Sequence, residues 1–146
     1  MSRGQVLLLH ASVAVVALTG GVFAGMKYGM HTDDPFAVVN HPLQPWMLAA
    51  HVIAAPLLVF AFGWMFQEHV VAKYLRGAPN RFTGIASALL FGVMTFSAYF
   101  LQVSTNEGLQ KTMRVTHWVS SGLFVAFYVV HFMRGRAIAR ASGRAA

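Results

Sequence analysis

Four long apolar runs constrain the fold of this chain more than any other feature of its sequence. They cover about Gln5–Tyr28, Pro45–Phe66, Phe82–Val103 and Met113–Met133. A helix needs about 20 apolar residues to cross a bilayer, and each run is that long. Backbone polar groups find no water inside a membrane, so each run must satisfy its own hydrogen bonds as a helix. The sequence therefore predicts an all-α integral membrane protein with four transmembrane helices.

The composition agrees with this class. Of the 146 residues, 57% are hydrophobic and 10% are charged, whereas soluble domains carry about 25% charged residues. The net charge of +7 alone is compatible with nucleic-acid binding, but the basic residues flank the apolar runs instead of lining one face. We therefore expect the lipid bilayer as a partner and no nucleic acid.

The short connections and the basic residues predict the topology. Short loops favour an up-down-up-down four-helix bundle, here a single domain over residues 1–146. One side of this bundle collects most of the basic residues: Arg3, Lys73, Arg76, Arg81, Arg134, Arg136, Arg140 and Arg144. The positive-inside rule places that side, with both termini, in the cytoplasm. Residues 134–146 then form a basic cytoplasmic tail, and we expect a multi-pass protein of the bacterial inner (cytoplasmic) membrane.

Histidine is the residue type that carries chemistry in this chain. There is no cysteine, which excludes disulfides, thiolate-held iron–sulfur clusters and covalent c-type haem within these residues. Two of the seven histidines, His31 and His41, lie in the predicted outer loop. The other five lie within or at the edges of the apolar runs: His10, His51, His69, His117 and His131. Ionisable groups at such depths usually face a bundle interior and mark function.

His117 and His131 are predicted to project from one face of the fourth helix. They are fourteen residues apart, which returns the helix to within about 40° of its starting direction and separates the rings by about 21 Å along the axis. Each therefore needs a partner at its own depth. His51 in the second helix matches the depth of His117.

Two candidates match His131 near the inner end. His10 fits its depth better, whereas His69 fits the rotation, because the eighteen residues from His51 make about five full α-helical turns. We take His10 as the expected partner and keep His69 as the alternative. Two opposed imidazole pairs at two depths suit two non-covalent haem b groups, with His51 and His117 as axial ligands of the outer iron and His10 and His131 of the inner one. Each ligating ring also needs an acceptor for its other N–H.

These histidines resemble the pattern of the four-helix di-haem cytochrome b subunits of respiratory enzymes. This group includes the cytochrome b subunits of nickel–iron hydrogenases and formate dehydrogenase and the cytochrome b561-like proteins. The matching features are His10 followed by Thr19-Gly20 in the first helix, His51 in the second, and His117 with His131 in the fourth. The dipeptide His10-Ala11 departs from the His-Trp of that family, and His69 is no part of its pattern.

The resemblance implies an electron-transfer subunit of an oxidoreductase complex rather than a complete enzyme. It would carry electrons across the membrane between the quinone pool and a periplasmic redox subunit, such as a cytochrome c, an iron–sulfur subunit or a metalloenzyme subunit. Glu68 and His69 are candidates for an inner quinone site, or they cap the end of the second helix. The alternative functions are a haem-free membrane anchor and a histidine-based proton or metal transporter.

Overall fold

The structure is a computed structural model that describes residues 2–143. Over this range the chain is helical and contains no β-strand. Its elements are α1 (Arg3–Ala24), a π-helical turn (Gly25–Gly29), α2 (Gln44–Met65), a π-helical segment (Phe66–Val71), α3 (Ala72–Leu75), α4 (Arg81–Val103) and α5 (Glu107–Ala141). Arg144, the last residue of the predicted inner basic set, and the end of the tail lie outside the described residues.

The described range contains four helical stretches that are long and apolar enough to cross a membrane: Arg3–Gly29, Gln44–Leu75, Arg81–Val103 and Glu107–Ala141. This confirms the predicted all-α class and indicates a multi-pass membrane protein. The orientation of the termini stays a prediction.

The burial pattern suits lipid surroundings. Large apolar side chains point outward, with Leu7 71%, Ile53 75% and Phe96 71% exposed, whereas the serines Ser12 and Ser97 are buried. Each of these two buried hydroxyls donates to a carbonyl of its own helix, as apolar surroundings require. Small polar residues between helices and apolar residues outside are typical of transmembrane packing.

The chain divides into two compact units between Gln67 and Glu68. The first, which we call the N-terminal hairpin, consists of α1 and α2 packed antiparallel. Leu8 near the start of α1 and Leu57 in the second half of α2 line one groove, while Val16 lies beside His51 near the start of α2. At the start of α1, Ser2 and Gln5 form a reciprocal capping box.

The second unit, the C-terminal hairpin, begins at Glu68 and is built on α4 and α5. These helices also run antiparallel, because Thr83 lies beside His131, Phe91 contacts Phe124, and Met94 contacts His117. Three residues connect the two helices, and the side chain of Asn106 accepts a hydrogen bond from Leu109 N to cap α5.

Two helices are longer than the sequence predicted. The second stretch continues past Phe66 to Leu75 and so includes Glu68 and His69. Because residues 66–71 are π-helical, the argument that placed His69 five α-helical turns after His51 does not apply. The helix α5 extends the predicted fourth span at both ends and continues through the first eight residues of the basic tail.

A glycine-dependent turn separates α3 from α4. Gly77 adopts a left-handed φ of 65°, its N–H donates to Tyr74 O, and Ala78 N–H donates to Lys73 O. These two bonds define a Schellman motif, in which glycine is favoured because a Cβ would strain the left-handed backbone. The turn therefore sets where the His69 segment meets the start of α4.

Gly77→Ala should lower the free energy of unfolding by about 1 kcal/mol, because the alanine Cβ disfavours the left-handed conformation. Thermal unfolding in detergent would measure this loss. Gly63→Ala is the matched control, since Gly63 is helical and a Cβ there meets no atom within 4 Å. Equal unfolding temperatures for the two variants would contradict the structural role of Gly77.

Candidate metal-ligand histidines

The His51 ring is anchored within the N-terminal hairpin through Nδ1. Its Nδ1 lies 2.9 Å from the carbonyl oxygen of Val16 in α1. A carbonyl can only accept a hydrogen bond, so Nδ1 is the donor. In the neutral ring the lone pair then resides on Nε2, the nitrogen through which such a tautomer would bind a metal.

Gly20 makes room for the His51 ring. A Cβ at Gly20 would lie 2.7 Å from His51 Cε1 and 2.8 Å from His51 Nδ1, which is closer than non-bonded atoms approach. Any side chain at position 20 would therefore displace the imidazole. At the neighbouring Gly21 a Cβ would meet nothing within 4 Å, so the requirement is specific to position 20.

The His117 ring is held in the C-terminal hairpin by the backbone of α4. Its Nδ1 lies 3.0 Å from the carbonyl oxygen of Met94, which also accepts from Ser97 Oγ at 2.9 Å. Ser97 is 2% exposed, and its Oγ lies 3.4 Å from His117 Nδ1. As at His51, Nδ1 donates to a carbonyl and the neutral ring keeps its lone pair on Nε2.

The His131 ring is held by side chains at the start of α4. Thr83 Oγ1 donates to Asn80 Oδ1 at 2.7 Å, so this hydroxyl can accept from His131 Nδ1, 2.9 Å away. Asn80 Nδ2 in turn donates to the carbonyl oxygen of His131 at 2.8 Å. Gly84 completes the site, because a Cβ there would lie 3.1 Å from His131 Cε1.

The three anchored histidines share one arrangement that fits metal ligation. Each occupies an apolar helix, donates from Nδ1 and faces a small residue on the adjacent helix: Gly20, Ser97 or Gly84. Metal-ligating histidines usually donate their second N–H to a carbonyl or another acceptor, which fixes the tautomer and the ring plane. The donor chemistry and the glycine cradles therefore fit axial ligation of a haem iron.

His41 in the outer loop shows the opposite arrangement. Its Nδ1 accepts a hydrogen bond from Leu43 N at 3.1 Å, and its carbonyl accepts from Gln44 N. This ring therefore stabilises the turn before α2. His31 is exposed in the same loop.

His69 lies next to His131 in the C-terminal hairpin. The two ring centres are 5.9 Å apart, and the ring planes are nearly perpendicular, at 86°. His69 is carried by the π-helical segment Phe66–Val71, where Glu68 is exposed. The fifth candidate, His10, is half-buried in α1.

Sequence reasoning missed the residues that hold the rings. Val16, Met94 and Thr83 supply the acceptors, and Asn80 orients Thr83. One sequence signal could have indicated them, since Thr-Gly occurs at 19–20 and again at 83–84, and both glycines contact a histidine ring. The two backbone acceptors leave no signal in the side-chain pattern.

Over residues 2–143 no three histidine or acidic side chains converge to hold an ion. Axial ligation of a haem iron needs two imidazoles, one on each side of the macrocycle. Searches against protein-family models, curated proteins and solved structures each found no match to this chain.

Gly20→Ala should displace the His51 ring and weaken its bond to Val16, which would lower the free energy of unfolding by about 1–3 kcal/mol, as overpacking commonly does. Gly21→Ala adds the same methyl group to the same helix where the space is open, and it should preserve or slightly raise stability, because alanine favours a helix over glycine. Thermal unfolding of both variants in one detergent compares them directly. Similar losses in both would contradict the specific role of Gly20.

Proposed function

We propose that this chain is a di-haem b-type cytochrome subunit of a respiratory or other redox complex in the bacterial inner membrane. It would transfer electrons across the membrane between the quinone pool and a periplasmic redox partner. The observation that carries this proposal is the shared anchoring of His51, His117 and His131, each with Nδ1 bonded to an acceptor on the adjacent helix. This bonding presents neutral Nε2 atoms, the form of histidine that binds iron.

The acidic residues favour haem ligation over a proton relay. The chain has four Asp and Glu residues: Asp33 and Asp34 in the outer loop, Glu107 at the first position of α5, and Glu68 near the end of the second helical stretch. A membrane proton relay usually uses carboxylates inside the spans. The interior polar groups here include instead the rings of His51 and His117, which donate to carbonyls of the adjacent helix, and serines that donate to their own helices.

Each of the anchored histidines would hold iron through Nε2. The depth argument from the sequence assigns His51 and His117 to an outer haem and His131 to an inner haem, with His10 or His69 as its second ligand. A bound haem b supplies one-electron chemistry. The chain's own contribution is to fix the ring planes through Nδ1 and to enclose the site in apolar helices.

The resemblance to respiratory cytochrome b subunits supplies the rest of the proposal. It implies a periplasmic partner, which would be a cytochrome c, an iron–sulfur subunit or a metalloenzyme subunit. The positive-inside rule would place both termini in the cytoplasm. A quinone would exchange electrons at the inner side. Glu68 and His69 remain the candidate residues there, since both can exchange protons with a quinone.

The purified full-length chain should contain two haem b groups per polypeptide, measured by the pyridine haemochrome method with a reduced-minus-oxidised spectrum. His51→Ala and His117→Ala should each lower the content from two haems to one, because each removes one axial ligand of the same haem. His31→Ala is the control, since His31 lies exposed in the outer loop. A folded but colourless wild-type chain would contradict the proposal and favour a haem-free anchor or a transporter.

Thr83→Val should raise the midpoint potential of one haem by an amount on the order of tens of mV and leave the other unchanged. The hydrogen bond from His131 Nδ1 makes the ring a stronger donor and stabilises ferric iron, so its loss favours reduction. Redox titration of the bound haems would measure the shift. Ser87→Ala is the matched control, because Ser87 Oγ donates to Thr83 O within its own helix.

A further inference from the structure

The rings of His69 and His131 form the closest arrangement of two imidazoles within the C-terminal hairpin. Their centres are 5.9 Å apart, and their planes cross at 86°. Both residues belong to the same compact unit, so their separation is set by the packing of that hairpin. We infer that His69, rather than the expected His10, is the second axial ligand of the inner haem.

The ring separation fits one metal ion between the two imidazoles. A metal–imidazole bond is about 2 Å long, and the ring centre lies about 1 Å behind the ligating nitrogen, so two imidazoles on opposite sides of one ion have centres about 6 Å apart. The observed distance of 5.9 Å agrees with this value. Perpendicular ring planes are compatible with ligation, because each ring can rotate about its own metal–nitrogen bond.

The π-helical segment gives a second, independent reason. Residues 66–71 leave the α-helical hydrogen-bond pattern for one turn, and π-turns of this kind often occur at functional sites. Such a turn inserts an extra residue and so changes the direction in which later side chains project. His69 lies inside this segment, so its direction depends on the π-turn.

The surrounding contacts hold both rings in position. The Schellman turn at Gly77 connects the His69 segment to α4. In α4, Thr83 bonds to the ring of His131, and Gly84 leaves room for that ring. The bond from Nδ1 of His131 to Thr83 leaves its Nε2 as the lone-pair nitrogen. The Gly77 turn therefore joins the stretch that carries His69 to the helix whose residues orient His131.

This inference rests on the proposed cytochrome function and specifies its inner site. A histidine that serves as ligand gives a signature that a structural histidine does not. Methionine in its place would produce histidine–methionine ligation, which raises the haem potential relative to bis-histidine ligation. A histidine that only packs near the haem would leave the ligation unchanged when replaced.

The test compares His69→Met with His10→Met in the full chain, through haem content, EPR of the oxidised protein and redox titration. We expect His69→Met to keep two haems, with one of them shifted to a higher potential and to the EPR signature of histidine–methionine ligation. His10→Met should retain two bis-histidine signals. In parallel, His69→Ala should lower the haem content from two to one, and purification with added haem and imidazole should restore the second haem and its low-spin signal.

The outcomes separate this inference from the function on which it rests. If the wild-type chain binds two haems and the methionine signature appears in His10→Met but not in His69→Met, the inner ligand is His10 and the inference is overturned while the function stands. If the wild-type chain binds no haem, the proposed function itself fails. Restoration of the low-spin signal in His69→Ala by imidazole would support ligation by His69 even if the methionine variant folds poorly.

Discussion

The structure depends first on the need to satisfy polar groups in apolar surroundings. Helices close their backbone hydrogen bonds internally, and the buried serines donate to carbonyls of their own helices. The rings of His51, His117 and His131 instead find their partners on the adjacent helix. The carbonyls of Val16 and Met94 and the hydroxyl of Thr83 provide those acceptors on the adjacent helices. The same bonds that remove the cost of burying the N–H groups also fix the tautomer that a metal requires.

Close approach of the helices is the second condition for this bonding. Each anchored ring meets the adjacent helix at a small residue, which is Gly20 for His51, Gly84 for His131 and Ser97 for His117. In membrane proteins, small residues between helices are usually explained by packing alone. Here a Cβ at Gly21 would meet no atom within 4 Å, whereas a Cβ at Gly20 would clash with the His51 ring. The His51 ring therefore requires glycine at position 20 and not at position 21. The Thr-Gly dipeptides at 19–20 and 83–84 thus mark positions where two helices pack closely and where a histidine ring needs the space of a missing side chain.

The π-helical segment around His69 shows how a local change in helix geometry affects a site. An uninterrupted α-helix projects its side chains at regular intervals, and sequence reasoning must assume that regularity. The π-turn at residues 66–71 interrupts this regularity. The direction in which the His69 side chain projects therefore depends on the geometry of the π-turn. The π-turn places His69 beside the ring of His131, and the proposed ligation would agree with the tendency of π-turns to occur at functional sites. The inner haem site that we propose at this end of the C-terminal hairpin would link backbone geometry to metal binding.

By itself, the sequence determined the helical class and the four membrane-spanning stretches, because hydropathy is a property of the residues. It also supplied the histidines that we propose as metal ligands, since the sequence contains no cysteine. It also indicated that a ligating ring would need an acceptor for its second N–H. Only the tertiary structure decided which atoms accept, since backbone carbonyls such as Val16 O have no side-chain signature. It likewise decided that α5 continues to Ala141 and that His69 lies against His131. These features depend on helix packing and on the π-turn at residues 66–71. Counting residues along an ideal α-helix predicts neither of them.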